Sequence, residues 1–231
     1  MENKDTIYTR TEMMLGEEAV KRLGRSSVAV FGVGGVGGFL VEAIARAGVG
    51  KITLIDADRV SVSNINRQII ATHNTVGQYK TEAMKQRIAE INPECEVVSI
   101  SEFYSEENSI SLDGFDYIAD CIDSVRSKLH LICEATARGI PIISSMGAGN
   151  KLDPTRFAVS DISKTHTDPL SKVIRTELRK RGINHLKVVF SDELPINPSK
   201  ERTPGSVSFV PSVVGLIMAG EIIKSIAGVN G

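Results

Sequence analysis

The chain has only three cysteines, Cys95, Cys121 and Cys133, and none stands in a C-x-x-C pair. That argues against a disulfide scaffold and against a four-cysteine zinc site. The opening residues, MENKDTIYTR, lack the apolar core of a secretory signal. The longest apolar run, Val207 to Gly220, covers 14 residues. A membrane span takes roughly 20, so a buried helix is expected there instead. An excess of one charge is also missing: 27 basic residues face 28 acidic ones, so no global field announces a nucleic-acid partner, and only a local patch could serve one. There is no internal repeat and no low-complexity tract. These absences point to a cytoplasmic protein without a membrane span.

The 231 residues, 42% of them hydrophobic, alternate short β-rich runs with helical patterns from Ser27 to Met146. That alternation predicts an α/β fold, Rossmann-like, with a mostly parallel sheet and helices on both faces. Strands are expected at 27–33, 51–56, 96–100, 116–121 and 141–146, and helices at 37–48, 80–91 and 125–139. Gly48 and Gly139 sit where helices usually end. One more helix is expected near 11–23. After Met146 the rhythm changes to a strand at 155–162, a helix opened by Asp168-Pro169 and running to Arg181, and a strand at 186–190. A polar loop at 191–208 and an apolar helix at 211–228 follow. We read residues 1–231 as one domain, with a nucleotide-binding core at about 24–150 and a C-terminal α/β elaboration at about 151–231.

Between the first strand and its helix, VFGVGGVGG carries Gly32-x-Gly34-x-x-Gly37, with Gly35 inside it. Glycines there let the backbone turn tightly and approach a phosphate that the helix N-terminus attracts. The alternative is that these glycines only permit close helix–strand packing. Asp56 comes 19 residues after Gly37 at the end of the next strand, where a carboxylate can accept from ribose hydroxyls. The motif alone does not separate NAD from ATP.

The loop after that strand, LIDADRVSVSNINRQ, separates them. It adds Asp58, Ser63, Asn64, Asn66, Arg67 and Gln68, and Lys80 opens the following helix. Two cations reaching one nucleotide exceed what the pyrophosphate of NAD needs and suit the β- and γ-phosphates of a triphosphate. Asn64, Asn66 and Gln68 offer further donors. In ADCIDSVRSK, Asp123 could hold Mg²⁺ beside phosphate oxygens, or Asp123 or Ser124 could simply cap the next helix.

Together GVGGVGG, LIDADRVSVSNINRQ, VGQYK and CIDS resemble the ThiF-like adenylating superfamily, which includes the activating enzymes of ubiquitin-like proteins. The resemblance implies ATP with its ribose on Asp56, its phosphates on Arg67 and Lys80, and Mg²⁺ on Asp123. It also implies a homodimer in which Arg10 completes the site of the other subunit. The implied chemistry is adenylation of a carboxylate, a step that calls for orientation and charge stabilisation and for no general base.

Two branches of that superfamily compete. Adenylation of the C-terminal carboxylate of a small sulfur-carrier or ubiquitin-like protein is one, and a sulfur-carrier or cysteine-desulfurase partner belongs with it. No cysteine follows Cys133, however, and Cys121 and Cys133 read as core residues. The segments SSMGAGNKLDPTRFAVSDISKTHTDPL and VPSVVGLIMAGEIIK instead resemble the branch that dehydrates threonylcarbamoyladenosine beside the tRNA anticodon, where the substrate's own carbamoyl captures the activated acyl group. A tRNA partner needs cations. From Lys164 to Lys187 seven Lys and Arg face Asp168 and Glu177, a local excess of five. Lys172, Arg175 and Arg179 have the spacing of one helix face. An ordinary solvated helix is the plainer alternative.

Overall fold

A computed structural model of the chain describes residues 5–196 and 203–229. Seven strands form one sheet: β1 (Ser27–Phe31), β2 (Lys51–Ile55), β3 (Glu96–Ile100), β4 (Tyr117–Asp120), β5 (Ile142–Ser145), β6 (Phe157–Asp161) and β7 (Lys187–Ser191). Their order is β3-β2-β1-β4-β5-β7-β6. All neighbours are parallel except β6, which pairs antiparallel with β7 at the edge.

Alternating side chains of β1 show why this sheet is covered twice. Val28 and Val30 pack on one face with Leu40 and Ile44 of α3 (Gly37–Arg46), Met84 and Ile88 of α4 (Lys80–Ile91), and Leu23. Ala29 and Phe31 pack on the other with Leu131 and Ile132 of α5 (Val125–Ala137) and Ile174 and Leu178 of α6 (Pro169–Lys180). A strand buried on both faces reads as a continuous apolar run, as VAVF does. Burying each of its valine and phenylalanine side chains contributes about 1.5–3 kcal/mol.

The N-terminus departs from expectation. In place of one helix near 11–23 there are two, α1 (Thr9–Leu15) and α2 (Glu17–Arg25). Gly16 divides them with φ 84°, a backbone angle that no helix admits and that glycine reaches without strain. The helix breaks where its glycine allows it.

The last helix, α7 (Phe209–Ala227), is long and apolar enough by length and composition to cross a membrane. Here it lies against α3 with Val214, Met218 and Ile222 fully buried. A Cβ at Gly215 would stand 2.3 Å from the Val36 carbonyl, so this close approach requires glycine. Gly48 and Gly139 both take positive φ just beyond α3 and α5, as expected of helix ends.

Candidate active site at the strand ends

The strand order reverses between β1 and β4, and ligands of open α/β sheets bind at the carboxyl ends of strands flanking such a point. There the protein has a cleft of about 450 Å³.

Gly34 and Gly35 line it, and so does Gly32, whose φ is +91°. A Cβ on Gly32 would come 2.7 Å from the Cys121 carbonyl, so this glycine closes the turn against β4. Gly37 does not line the cleft. Its Cβ would fall 1.8 Å from the Gly32 carbonyl, and packing of helix on strand explains it completely. At Gly34 an added Cβ would meet only Gln68 Nε2, at an ordinary contact distance of 3.8 Å, so protein packing does not itself require glycine there. No side chain caps α3, so its N-terminal amides lack a side-chain acceptor.

Asp56 follows β2 and is anchored by both oxygens: Oδ2 accepts from Val33 N (2.7 Å) and Oδ1 from Asp58 N (2.8 Å). Burial raises its pKa above the usual aspartate value, against the attraction of Lys80. Lys80, 6% exposed, donates to Asp58 Oδ2 at 2.6 Å and lies 3.9 Å from Asp56 Oδ2. Its backbone N–H is held by the Asp58 carbonyl, which sets the ammonium at the cleft wall.

The polar loop divides its labour. Asn64, Arg67 and Gln68 line the cleft, whereas Ser63 and Asn66 do not. Ser63 Oγ meets Ser61 Oγ (3.0 Å) and its carbonyl accepts from Arg67 Nη1 (3.1 Å). Asn66 Oδ1 accepts from the same nitrogen, and its Nδ2 donates to the Ser206 carbonyl (3.0 Å). These two residues therefore aim Arg67 and tie the loop to the segment before α7. Gln68 is buried with Oε1 lacking a partner among the described residues.

After β4 a sealed network shapes the next turn. Asp120 Oδ2 accepts from Lys128 Nζ (2.8 Å) and Ser144 Oγ (2.5 Å), and Oδ1 accepts from Ile122 N (3.1 Å). Both charged side chains are 0% exposed. The turn carries Asp123 out to the cleft rim, exposed and with no hydrogen bond to a described residue. Ser124 occupies the N-cap of α5 without a side-chain cap bond and lies off the cleft. Capping by either side chain is thus not what the structure displays. No group of three or more His, Cys, Asp or Glu could hold a metal among the described residues. An ion here would have one protein carboxylate plus ligand oxygens, a set that suits Mg²⁺.

Arg10 is not in this cleft. It is exposed on α1, and two residues earlier Tyr8 packs on Gly48, at the opposite ends of the strands. Several lining residues escaped the sequence analysis: Glu102, Phe103 and Tyr104 after β3, Ala148 and Gly149 after β5, and Thr203–Ser206 with Pro211. For those after β3 and β5, position beyond a strand end was the available signal.

In α6, Asp168 caps through Ser171 N (2.7 Å) and Pro169 begins the helix, both as read from sequence. The expected cationic face is only partly formed. Arg175 turns inward to the Thr165 carbonyl and hydroxyl (2.8 and 2.6 Å). Lys180 and Arg181 pair with Glu177, and Lys187 with Glu221. Lys164, Lys172 and Arg179 remain exposed with no ion pair to a described residue. 

The ThiF family matches residues 8–231. The chain is 50% identical to the tRNA threonylcarbamoyladenosine dehydratase of Bacillus subtilis, over 95% of this chain and 94% of that protein. It is 39% identical to the Escherichia coli enzyme of the same name, over 84% and 76% of the two chains. The crystal structure of that E. coli enzyme in complex with ATP superposes with a TM-score of 0.90 and 36% identity, covering 96% of this chain and 93% of that one.

Proposed function

The chain belongs to the ThiF family, and from its 50% identity to a dehydratase of that family we infer that it catalyses the ATP-dependent dehydration of threonylcarbamoyladenosine in tRNA. The observation that carries this reading is one cleft edged by Gly34, Gly35, Asp56, Arg67, Lys80 and Asp123, in a chain half identical to a dehydratase. Adenylation of a carrier protein has weaker support, resting on relatives such as the 28% identical adenylyltransferase and sulfurtransferase of Danio rerio.

In the reaction a carboxylate oxygen of the threonylcarbamoyl group attacks the α-phosphorus of ATP, and the bond to pyrophosphate breaks. Arg67 and Lys80 are assigned to the charge that grows on the leaving pyrophosphate. Lys80 can exchange Asp58 for a phosphate oxygen without opening a sealed pair, because the Asp58 side chain is 71% exposed. Asp56 is assigned to the ribose, and Asn64 and Gln68 to further ligand contacts. Asp123 would hold Mg²⁺, whose charge offsets that of the phosphates. The substrate's carbamoyl then attacks the acyl carbon and AMP leaves with the carboxylate oxygen, so the net loss is water.

No enzyme thiol enters this scheme. Cys121 borders the cleft, but burial, reinforced by Asp120, pushes its thiol far above the ordinary range and keeps it protonated. The exposed Lys164, Lys172 and Arg179 are assigned to tRNA phosphates, and with few aromatics nearby recognition rests on charge and RNA shape. A cytoplasmic location is proposed with this reading, as the compartment in which a tRNA substrate is met. A second copy is proposed to bring its Arg10 to this cleft: α1 buries none of its residues and exposes Met13 and Met14, with Ile7 exposed just before it.

The deciding assay is pyrophosphate release from ATP with modified tRNA, unmodified tRNA or none. Release should require the modified tRNA, and release that ignores the modification would refute the substrate assignment. Asp56→Ala should weaken Mg·ATP about tenfold, the worth of a charged hydrogen bond of ~1.5 kcal/mol. Mixed Arg10→Ala and Lys80→Ala subunits should regain activity, since one shared site would be intact. No recovery despite subunit exchange would count against sharing.

A further inference from the structure

The nucleotide assignments occupy the ends of β1, β2 and β4, so the wall after β5, at Ala148 and Gly149, faces the acceptor side of the cleft. That wall is held from behind. Lys151 Nζ donates to the Gly147 carbonyl and to Asp168 Oδ2 (2.7 Å), and both charged side chains are 1% exposed. The other oxygen of Asp168 accepts from Ser171 N (2.7 Å) and Ser171 Oγ (2.9 Å) at the start of α6. One carboxylate therefore fastens the cleft wall to the helix that carries Lys172 and Arg179. The approach is tight enough that a Cβ on Gly147 would stand 2.6 Å from Asp168 Oδ2.

The backbone around this joint is strained. Among the described residues, Asn150 (φ 59°) and Thr167 (φ 61°) are the two non-glycine positions at positive φ, and each adjoins one member of the pair. For a β-branched threonine that conformation is a true outlier. Strain of this kind persists where surrounding structure enforces it, and it gathers at functional sites. Asn150 extends the joint: its carbonyl accepts from Ile196 N (2.7 Å), its N–H donates to the Gly205 carbonyl (2.8 Å), and its Oδ1 accepts from Gly205 N (2.7 Å). Gly205 and its neighbours form part of the same cleft wall. A buried ion pair is weak evidence for stability, since apolar replacements often do as well, so stability alone gives poor reason for this arrangement.

We propose that Lys151 and Asp168 are positioning residues of the dehydration: they fix the acceptor wall of the cleft relative to α6, so that tRNA seated on α6 presents its carboxylate at the α-phosphate of ATP. This rests on the dehydratase reading. Neither residue lines the cleft, so both act through Gly147–Asn150.

The test is the double variant Lys151→Met with Asp168→Asn. Methionine keeps an unbranched side chain, asparagine remains a good helix cap, and no uncompensated buried charge is left. Mg·ATP affinity, tRNA affinity, and kcat and KM for modified tRNA are measured on the folded protein. We expect both affinities within about twofold of wild type and kcat lower by about 10- to 100-fold, the scale of a misplaced reacting group. A pair that only supports the fold would lower Tm and leave kcat per folded molecule unchanged. Wild-type kcat with intact affinities overturns the proposal. Should the double variant fail to fold, Asn150→Gly retains the positive φ and the backbone bonds while deleting the Oδ1 bond to Gly205. The same split is expected there, and wild-type kcat again overturns the proposal. If wild-type enzyme does not turn over modified tRNA, the dehydratase reading itself has failed, a result distinct from these.

Discussion

At the cleft, buried Lys80 is bonded to an aspartate whose side chain is largely open to solvent, whereas behind the cleft Lys128 and Lys151 meet carboxylates as enclosed as themselves. The same residue type thus serves two ends. A cation with an exposed partner can trade it for an incoming phosphate at little cost. A cation sealed against a sealed carboxylate cannot leave, and it fixes the backbone around it: the Ser145 carbonyl in one case, the Gly147 carbonyl in the other. Burial alone does not separate these lysines; the exposure of the partner carboxylate does.

Removing the ammonium in each place should separate the two kinds most sharply. Lys128→Met leaves Asp120 buried without a counter-charge and should cost about 3–5 kcal/mol in denaturant unfolding. Lys80→Met should cost less in the same measurement, because Asp58 stays solvated and Asp56, which loses the charge 3.9 Å away, keeps its bonds from Val33 N and Asp58 N. Equal losses would erase the distinction.

The next effect is on rate. Lys80→Ala and Arg67→Ala should each lower turnover about 10²-fold, or ~3 kcal/mol, with a smaller effect on Mg·ATP affinity. Wild-type turnover in both would remove the cleft cations from the chemistry.

A milder change is expected on the exposed side of α6. Lys172→Glu with Arg179→Glu should weaken tRNA binding severalfold and reduce its salt dependence by about two counterions, leaving Mg·ATP affinity alone. Adding Arg175→Glu is expected to damage the fold, because Arg175 is bonded inward to Thr165. Unchanged tRNA affinity would make the exposed pair an ordinary solvated surface.

The smallest effect concerns the cysteines. Burial pushes the Cys95 thiol up to about 11, and it raises Cys121 and Cys133 as well. Alkylation of native protein at pH 8 should therefore be slow and should accelerate as pH rises toward that value. Changing all three to Ala should leave kcat near wild type with some loss of Tm from small cavities. A variant that adenylates but no longer closes the ring would reveal a covalent thioester.

The sheet was legible because each strand's apolar run and each helix's period repeat locally, and because Gly32, Gly34 and Gly35 mark a turn that backbone geometry demands. Asp56, Arg67, Lys80 and Asp123 were legible as a group because a parallel sheet sends the ends of successive strands to one place. The gaps have physical causes. Asp120 with Lys128 and Lys151 with Asp168 join residues on different elements, so neither pair leaves a pattern within one helix or strand. Arg175 fits the helical spacing of a cationic face, yet a side chain that long can fold back to a carbonyl ten residues upstream. Phe103 and Tyr104 lie in irregular backbone after β3, where no periodicity points to a cleft.

The packing of α7 on the glycine turn also bears on how the protein is made. Pro211 lies against Gly35, and Gly215 sits under the Val36 carbonyl, so the turn that would receive the nucleotide is braced by residues synthesised some 175 positions later. A ribosome-bound chain ending before α7 exposes the bare flank of α3 and an unbraced turn. It should neither retain ATP nor keep its apolar surface from chaperones. Nucleotide capture is therefore expected only once α7 has been made, and ATP retention by a chain truncated before Phe209 would contradict this.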